Sequence, residues 1–147
     1  MNAIEFLIKE HNKVRKMLLD IADEKHHYET QKKQFERVSQ ELLRHEDMEH
    51  QIWYPHFKDK LPQTIKHLVT EEKGAEKAIH KLNTLKTETA WKEHFLKFSE
   101  DVEHHAHEEE HDLFPEVQKI LSQKELEDIG LKMHVFKMKH VHSNVKH

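Results

Sequence analysis

Two histidine–glutamate pairs have the spacing of metal ligands. His45 lies four residues before Glu49, and His105 lies four residues before Glu109. Residues four apart share one face of an α-helix, so each pair presents an imidazole and a carboxylate together. The chain has 17 histidines among 147 residues and no cysteine, which favours nitrogen and oxygen ligands and excludes thiolates. Such a ligand set suits iron, manganese or zinc.

Two further polar residues interrupt apolar stripes elsewhere in the chain. His11 lies within the stripe that runs from Ile4 to Ile21, and Glu72 lies within the stripe from Ile65 to Leu82. Both stripes advance in steps of three and four residues, the period of a buried helix face. The candidate metal ligands are therefore His11, His45, Glu49, Glu72, His105 and Glu109. Burying these groups without partners would cost several kcal/mol each, whereas two metal ions with bridging carboxylates would remove that cost.

The chain contains an internal repeat that relates these candidates. Residues 35–55 resemble residues 95–115 at an offset of 60, and residues 4–21 resemble residues 65–82 at an offset of 61. The first comparison aligns the pair His45 and Glu49 with the pair His105 and Glu109. The second aligns His11 with Glu72. Two related helical hairpins with a pseudo-twofold axis are indicated.

The repeat also predicts how the ligands divide between two metals. Glu49 and Glu109 face each other across the pseudo-twofold axis and are the expected bridges. The terminal ligands are predicted to be His11 with His45 on one metal, and His105 with Glu72 on the other. Glu46 adjoins the site and is an alternative ligand. A metal-free layer of buried ion pairs is the alternative structural interpretation.

Helical elements must position these residues. Only two glycines and three prolines occur, so the chain is predicted to be all-α. The expected architecture is an up-down-up-down four-helix bundle with a short C-terminal fifth helix. Residues 1–147 would form one domain, with a core at about 3–120 and a terminal helix at about 122–140. The predicted helices span about 3–26, 31–58, 63–86 and 90–120, followed by the terminal helix.

Local signals mark several helix ends. Asn2 with Glu5, and Ser122 with Glu125, have the spacing of a capping box at a helix start. Pro55 and Pro115 each follow a candidate histidine by ten residues and are expected to kink their helices beyond the glutamates. The tail at 139–147 is expected to fray.

Most of the other histidines are expected to lie at the surface. His50, His56, His67, His80 and His94 are predicted to be solvated. His104, His107 and His111 fall in a dense His/Glu run and are predicted to be surface or outer groups.

Charge and hydropathy exclude several classes of protein. The net charge of −4 provides no basic field for nucleic acid, and no apolar stretch is long enough to span a membrane. The absence of cysteine fits a cytoplasmic protein. The sequence contains no nucleophile–base pair or phosphate loop, so it marks no catalytic residues.

Three segments resemble the hemerythrin-like, HHE cation-binding domains. They are IKEHNKVR at 8–15, HEDMEHQIWYP at 45–55 and HAHEEEHDLFP at 105–115. The resemblance covers about residues 1–120, and LSQKELEDIG at 121–130 resembles the terminal helix of such proteins. It implies a four-helix bundle with a non-haem di-iron centre. Family members carry or sense oxygen, handle iron, or deal with nitric oxide.

The chain departs from the oxygen-carrying members of this family. Those members have His-x₃-His on the third helix, where this chain has Glu72 followed by Lys73. On the fourth helix they have an aspartate five residues after the histidine, where this chain has Glu109 four residues after His105. If the third helix is shifted by a turn, His67, Glu76 or His80 would replace Glu72. The carboxylate-rich set is expected to favour ferric iron and to weaken reversible oxygen binding.

The resulting hypothesis is a di-iron protein that binds or senses dioxygen or nitric oxide, or that handles iron. Manganese or zinc would be less suitable. One alternative is a di-iron oxidase, peroxidase or iron-centre repair enzyme, although the cysteine-containing N-terminal region of the repair proteins is missing. A metal-free helical interaction module is the other alternative.

Overall fold

The structure, a computed structural model, describes residues 1–140, and these residues form helices and no strands. The helices are α1 (Ala3–Ala22), α2 (Tyr28–Met48), α3 (Pro62–Thr84), α4 (Glu88–Glu108), α5 (Phe114–Ile120) and α6 (Gln123–Lys139). The predicted all-α bundle with an additional C-terminal helix is confirmed. Of the tail expected to fray, residues 141–147 lie outside the described range.

Two helices begin with the predicted capping boxes. The Glu5 N–H donates to Asn2 Oδ1 at 2.9 Å, and the Asn2 N–H donates to Glu5 Oε1 at 2.9 Å. The same reciprocal pair joins Ser122 and Glu125 at the start of α6, at 3.1 and 2.9 Å. These contacts satisfy amide donors that the first helical turn leaves without partners.

The first helix ends earlier than predicted. We expected it to reach about residue 26, but α1 ends at Ala22. The Asp23 side chain accepts a hydrogen bond from the Lys25 N–H at 2.9 Å. This local bond gives the backbone an alternative to the helical ladder and forms the turn that leads to α2.

The apolar stripes pack into two clusters, one on each side of the candidate ligands. One cluster contains the aromatic side chains of Phe35, Trp91, Phe95 and Phe98 from α2 and α4. The other cluster includes Trp53, Phe57, Leu113 and Phe114 beyond the ends of α2 and α4, together with the buried face of α6. The candidate ligands therefore form a polar layer between two apolar regions.

The helix distortions lie closer to this layer than predicted. We expected kinks about one and a half turns beyond Glu49 and Glu109, but the α-helical pattern ends at these two residues. A π-helical turn runs from Glu49 to Trp53, and a second runs from Glu109 to Leu113. Their closing bonds run from the Tyr54 N–H to the Glu49 carbonyl and from the Phe114 N–H to the Glu109 carbonyl.

The prolines help to explain where the α-helical hydrogen-bond ladder is interrupted. Pro55 and Pro115 immediately follow the residues that close the π turns, and neither has an N–H to donate. The chain continues as a 3₁₀ turn over Tyr54–His56 in the first repeat and as α5 in the second. Single π turns of this kind are frequent at functional sites.

Within the described residues, no helix is both long and apolar enough to cross a membrane.

Candidate metal centre

Four α-helices and the two π turns bring the six predicted ligands into one layer. His11 comes from α1, His45 from α2, Glu72 from α3 and His105 from α4. Glu49 and Glu109 are the first residues of the two π turns, and both are 0% exposed. His11, His45 and Glu72 are also buried, whereas His105 is partly exposed.

One group of three potential ligands joins α1, α2 and the second π turn. His11, His45 and Glu109 each offer a ligand atom, and these atoms lie within 4.8 Å of one another. His11 Nε2 is 3.6 Å from Glu109 Oε1. The His11 and His45 rings are tilted by 57° with their centroids 5.3 Å apart, so neither ring covers the other.

A second group shares Glu109 with the first. Glu49, His105 and Glu109 have ligand atoms within 4.8 Å of one another. His105 Nε2 is 3.1 Å from Glu109 Oε1. His45 Nε2 is 3.5 Å from Glu49 Oε1, which connects the two groups. Because Glu109 belongs to both groups, its carboxylate is positioned to bridge two cations.

Several of these atoms are buried without a hydrogen-bond partner among residues 1–140. They are His11 Nε2, His45 Nε2, His105 Nε2, Glu49 Oε2, Glu109 Oε1 and Glu109 Oε2. The 3.1 Å approach of His105 Nε2 to Glu109 Oε1 therefore lacks hydrogen-bond geometry. Buried polar atoms are nearly always satisfied, and a bound ion is one of the few explanations for a set of exceptions. The residues present thus fit a metal centre.

Each histidine of the layer has a carboxylate beside its other ring nitrogen. His11 Nδ1 is 2.7 Å from Glu110 Oε2, and His105 Nδ1 is 2.9 Å from Glu71 Oε1. His45 Nδ1 is 3.6 Å from Glu10 Oε1. Metal-binding histidines usually have such a partner, which fixes the ring orientation and the tautomer.

Sequence reasoning missed these three carboxylates, although a signal was present. Glu10, Glu71 and Glu110 are the immediate neighbours of His11, Glu72 and Glu109 in the chain. Helical geometry turns adjacent residues away from each other, so the outer carboxylates approach the histidines of other helices instead.

Glu72 has a different environment from the other five predicted ligands. The Tyr54 hydroxyl donates to Glu72 Oε2 at 2.6 Å, and His50 Nε2 lies 2.6 Å from Glu72 Oε1. Glu72 Oε2 is also 3.6 Å from His105 Nε2. Both carboxylate oxygens are therefore engaged by the protein, and the role of Glu72 as a ligand stays a prediction.

The alternatives to Glu72 on α3 do not replace it. His67, Glu76 and His80 are exposed, so the register of α3 directs Glu72 inward as predicted. His50 was expected to be solvated only. It is 46% exposed, yet its ring reaches the buried Glu72 carboxylate.

Glu46 is buried beside the layer, and burial together with the charge of Glu72 raises its pKa to about 8.

The two central carboxyl groups have pKa values shifted in opposite directions. Burial, followed by the negative charge of Glu109, raises the pKa of Glu49 well above its usual value. Burial also acts to raise the pKa of Glu109, but its interactions with Glu49, His105 and His11 hold that pKa well below its usual value. When the pair holds a single proton, that proton therefore lies on Glu49.

Two histidines of the layer, His45 and His105, have raised pKa values when only the protein surrounds them. Burial acts to lower the pKa of His105, but the charge of Glu109 and the contacts with Glu109 and Glu72 raise it to about 12. Burial likewise opposes protonation of His45, and the carboxylates of Glu10 and Glu109 nevertheless raise its pKa. A cation binding here would displace these protons, which couples metal affinity to pH.

A small cavity adjoins the layer on its apolar side. Its volume is about 40 Å³, and its walls include His11, His45 and His105 together with Leu42 and Val102. This volume suffices for one water-sized or diatomic molecule.

The surface histidines of the fourth helix lie where they were predicted. His104, His107 and His111 are exposed, and the rings of His107 and His111 stack with centroids 4.0 Å apart. His56, His80 and His94 are exposed as well.

Comparison with known proteins identifies the family. The sequence model of the Hemerythrin HHE cation binding domain matches residues 2–117. Among solved structures, a Hemerythrin HHE cation binding domain-containing protein from Mycobacterium kansasii has a TM-score of 0.87 and 23% sequence identity, covering 97% of this chain and 89% of that chain. At this identity the likeness shows a shared fold. No curated protein sequence matches the chain significantly. Because the family model covers residues 2–117, most of the chain and all six predicted ligands, the chain belongs to the Hemerythrin HHE cation binding domain family.

Proposed function

We propose that this protein holds two iron ions in the polar layer and uses them to bind dioxygen or nitric oxide. The observation that carries the proposal is the set of buried imidazole nitrogens and carboxylate oxygens that have no hydrogen-bond partner within the described part of the chain. They form two groups that share Glu109, so one carboxylate serves both ions.

The proposed division of ligands differs from the sequence prediction in one respect, because Glu49, predicted as a second bridge, is assigned to one ion only. His11, His45 and Glu109 would hold one ion, and Glu49, His105 and Glu109 would hold the other. Glu72 would join the second ion by exchanging its contacts with Tyr54 and His50. Nitrogen and carboxylate ligands in a helical bundle are typical of di-iron sites, which is why iron is favoured over zinc.

The ions would supply an electron-donating site for a diatomic ligand, and the protein supplies the space. The cavity of about 40 Å³ beside the three histidines is too small for an organic substrate. Its walls combine apolar side chains such as Val14 and Leu18 with the charged side chains of Glu10, Arg15 and Glu103. These features support binding or sensing of a diatomic molecule over turnover of a larger substrate.

The outer carboxylates prepare the histidines for this role. Glu110 and Glu71 lie within 3 Å of the Nδ1 atoms of His11 and His105 and so orient the Nε2 atoms toward Glu109. Arg15 donates to Glu110 Oε2 at 2.9 Å, and this contact keeps the carboxylate in place. The arrangement holds the ligand atoms in position before an ion arrives.

The deciding measurement is metal content with an optical spectrum, on protein purified without a histidine tag. We expect about two irons per chain and near-ultraviolet charge-transfer bands in air. The ferrous protein, titrated anaerobically with nitric oxide, should change its visible absorption in proportion to its iron content. A chain that contains no metal or a single zinc, after reconstitution with Fe(II), would overturn the proposal and favour the layer of ion pairs.

A further inference from the structure

A second His–Glu cluster lies on the outer face of α3 and α4. His67 and Glu71 are four residues apart on α3, and His104 and Glu108 are four residues apart on α4. This is the spacing of the two buried pairs. The histidines are 59% and 65% exposed, so an ion from solvent can reach them directly.

The four side chains converge across the two helices. His67 Nε2 is 2.8 Å from Glu108 Oε2 and 3.4 Å from Glu71 Oε2. His104 Nε2 contacts Glu108 Oε1 and lies 3.7 Å from Glu71 Oε2. The ligand atoms of His67, Glu71 and Glu108 lie within 4.8 Å of one another, as in the buried groups. Two imidazoles and two carboxylates are a suitable ligand set for a divalent transition metal.

The charges of this outer cluster also favour a cation. Among residues 1–140, Glu71 and Glu108 form ion pairs with histidines and with no lysine or arginine. With neutral imidazoles, the outer cluster has a charge of −2, which one divalent ion would balance. Ion pairs between exposed side chains add little stability, so stability alone does not account for the convergence.

A cleft leads from the outer cluster to the polar layer. It has a volume of about 260 Å³ and is bounded by α2, α3 and α4, with Glu71 and His104 toward the surface and Glu72 and His105 toward the interior. Gly74 is part of its wall, and a side chain built there would meet nothing within 4 Å. The absence of a side chain at position 74 therefore keeps this part of the cleft wide.

One residue belongs to both regions. Glu71 contributes Oε2 to the outer cluster and Oε1 to His105 Nδ1 at 2.9 Å. His105 in turn lies 3.1 Å from Glu109 with its other nitrogen. The outer cluster thus contacts the polar layer directly, through Glu71 and His105.

We propose that His67, Glu71, His104 and Glu108 bind a divalent cation from solvent and pass it through the cleft to the buried centre. The inference rests on the proposed function, because a loading site requires a centre to load. The outer cluster holds the ion at an exposed position, and the carboxylates of Glu71 and Glu72 in the walls of the cleft provide oxygen ligands on the way inward.

The first experiment measures the rate of loading. The metal-free full-length chain is mixed anaerobically with Fe(II), and excess ferrozine is added at intervals to capture iron that is not yet buried. The test variant is His67→Ala/His104→Ala. The control is His80→Ala/His94→Ala, which removes one exposed histidine from each of the same two helices. Circular dichroism establishes that each variant keeps the helical content of the wild type.

We expect the test variant to retain as much iron as the wild type at the end of the reaction, but to load about tenfold more slowly. The control variant should load at the wild-type rate. Equal rates for all three proteins would overturn the loading role while leaving the buried centre intact. If the wild type retains no iron, the proposed function fails, and the loading role fails with it.

A second experiment isolates the outer cluster. In Glu109→Gln, which removes the carboxylate shared by both buried groups, anaerobic calorimetry with Fe(II) should still detect one exchangeable ion. Adding His67→Ala/His104→Ala to this variant should abolish that binding. Binding that persists in the combined variant would show that the exchangeable ion lies elsewhere and would overturn the outer site.

Discussion

Glu49 and Glu109 occupy equivalent positions in the two repeats, 60 residues apart, and each begins a π-helical turn. Both carboxyl groups are fully buried in the same layer, yet they are not equivalent. Glu109 belongs to both groups of potential ligands, whereas Glu49 belongs to one. The pKa of Glu49 is raised and that of Glu109 is lowered, so a single proton on the pair would lie on Glu49 and leave the charge on the carboxylate that the two groups share.

This asymmetry predicts different effects for the same substitution at the two positions. Glu109→Gln should impair both ions, because it removes a charged ligand atom from each group. Glu49→Gln should leave one ion bound by His11, His45 and Glu109. Since loss of a ligand weakens metal binding severely, we expect about one iron per chain for Glu49→Gln and less for Glu109→Gln. Metal content after reconstitution with Fe(II) and gel filtration measures the difference.

The matched control for this pair is Glu100→Gln, an exposed glutamate of α4. It should retain the wild-type iron content. If Glu49→Gln and Glu109→Gln lose equal amounts of iron, the shared role of Glu109 is wrong and the centre is symmetric.

Tyr54 is predicted to stabilise the metal-free protein through Glu72. Its hydroxyl donates to Glu72 Oε2 at 2.6 Å inside the protein. Tyr54→Phe would leave a buried carboxylate oxygen without this donor, at a cost of about 1–3 kcal/mol in the free energy of unfolding. Urea denaturation of the metal-free variant measures the loss. Tyr28→Phe, which removes the hydroxyl of the chain's other tyrosine, should change stability by less than about 0.5 kcal/mol. Equal effects would mean that the Tyr54 hydroxyl contributes nothing specific.

The sequence was sufficient to predict which residues meet in the polar layer. An α-helix returns to the same face every three or four residues, so the stripes that contain His11, His45 and His105 had to face the bundle interior. The capping boxes at Asn2 and Ser122 were likewise readable, because they depend on residues three positions apart. Whether these residues bind metal stays a prediction.

The contacts around Glu72 could not be predicted from the sequence, because they depend on a π turn. A π turn adds one residue to the helix, so the residues after Glu49 are rotated by about 100° from their α-helical direction. The rotation helps to bring Tyr54, which follows the turn, to Glu72, and His50 contacts Glu72 from within the turn. Proline spacing indicated a distortion but not where it begins.

Lys137 is predicted to support His45 from the terminal helix. Its ammonium group donates to Glu10 Oε2 at 2.7 Å, and Glu10 Oε1 lies 3.6 Å from His45 Nδ1. Lys137→Met keeps the aliphatic stem but leaves Glu10 without this donor, so His45 should be held less firmly. We expect Fe(II) affinity to fall by up to about tenfold, measured by anaerobic calorimetry. Lys139→Met, an exposed control two residues further on, should bind as the wild type does. If Lys137→Met binds Fe(II) with unchanged affinity, the lysine contributes only to the packing of α6 and does not support His45.

The two glycines provide a matched test of how α6 is seated. A Cβ at Gly130 would lie 2.5 Å from the Met1 carbonyl oxygen and 2.9 Å from the Ala3 nitrogen, whereas one at Gly74 would meet nothing within 4 Å. Gly130→Ala must therefore displace α6 from the start of α1, and overpacking of this kind costs about 1–3 kcal/mol. Gly74→Ala removes backbone freedom from the unfolded chain at an exposed helical position and should stabilise the protein by about 0.5–1 kcal/mol. Urea denaturation of both variants gives the two values. If Gly130→Ala is as stable as Gly74→Ala, the backbone of α6 does not pack against residues 1–3 as closely as described.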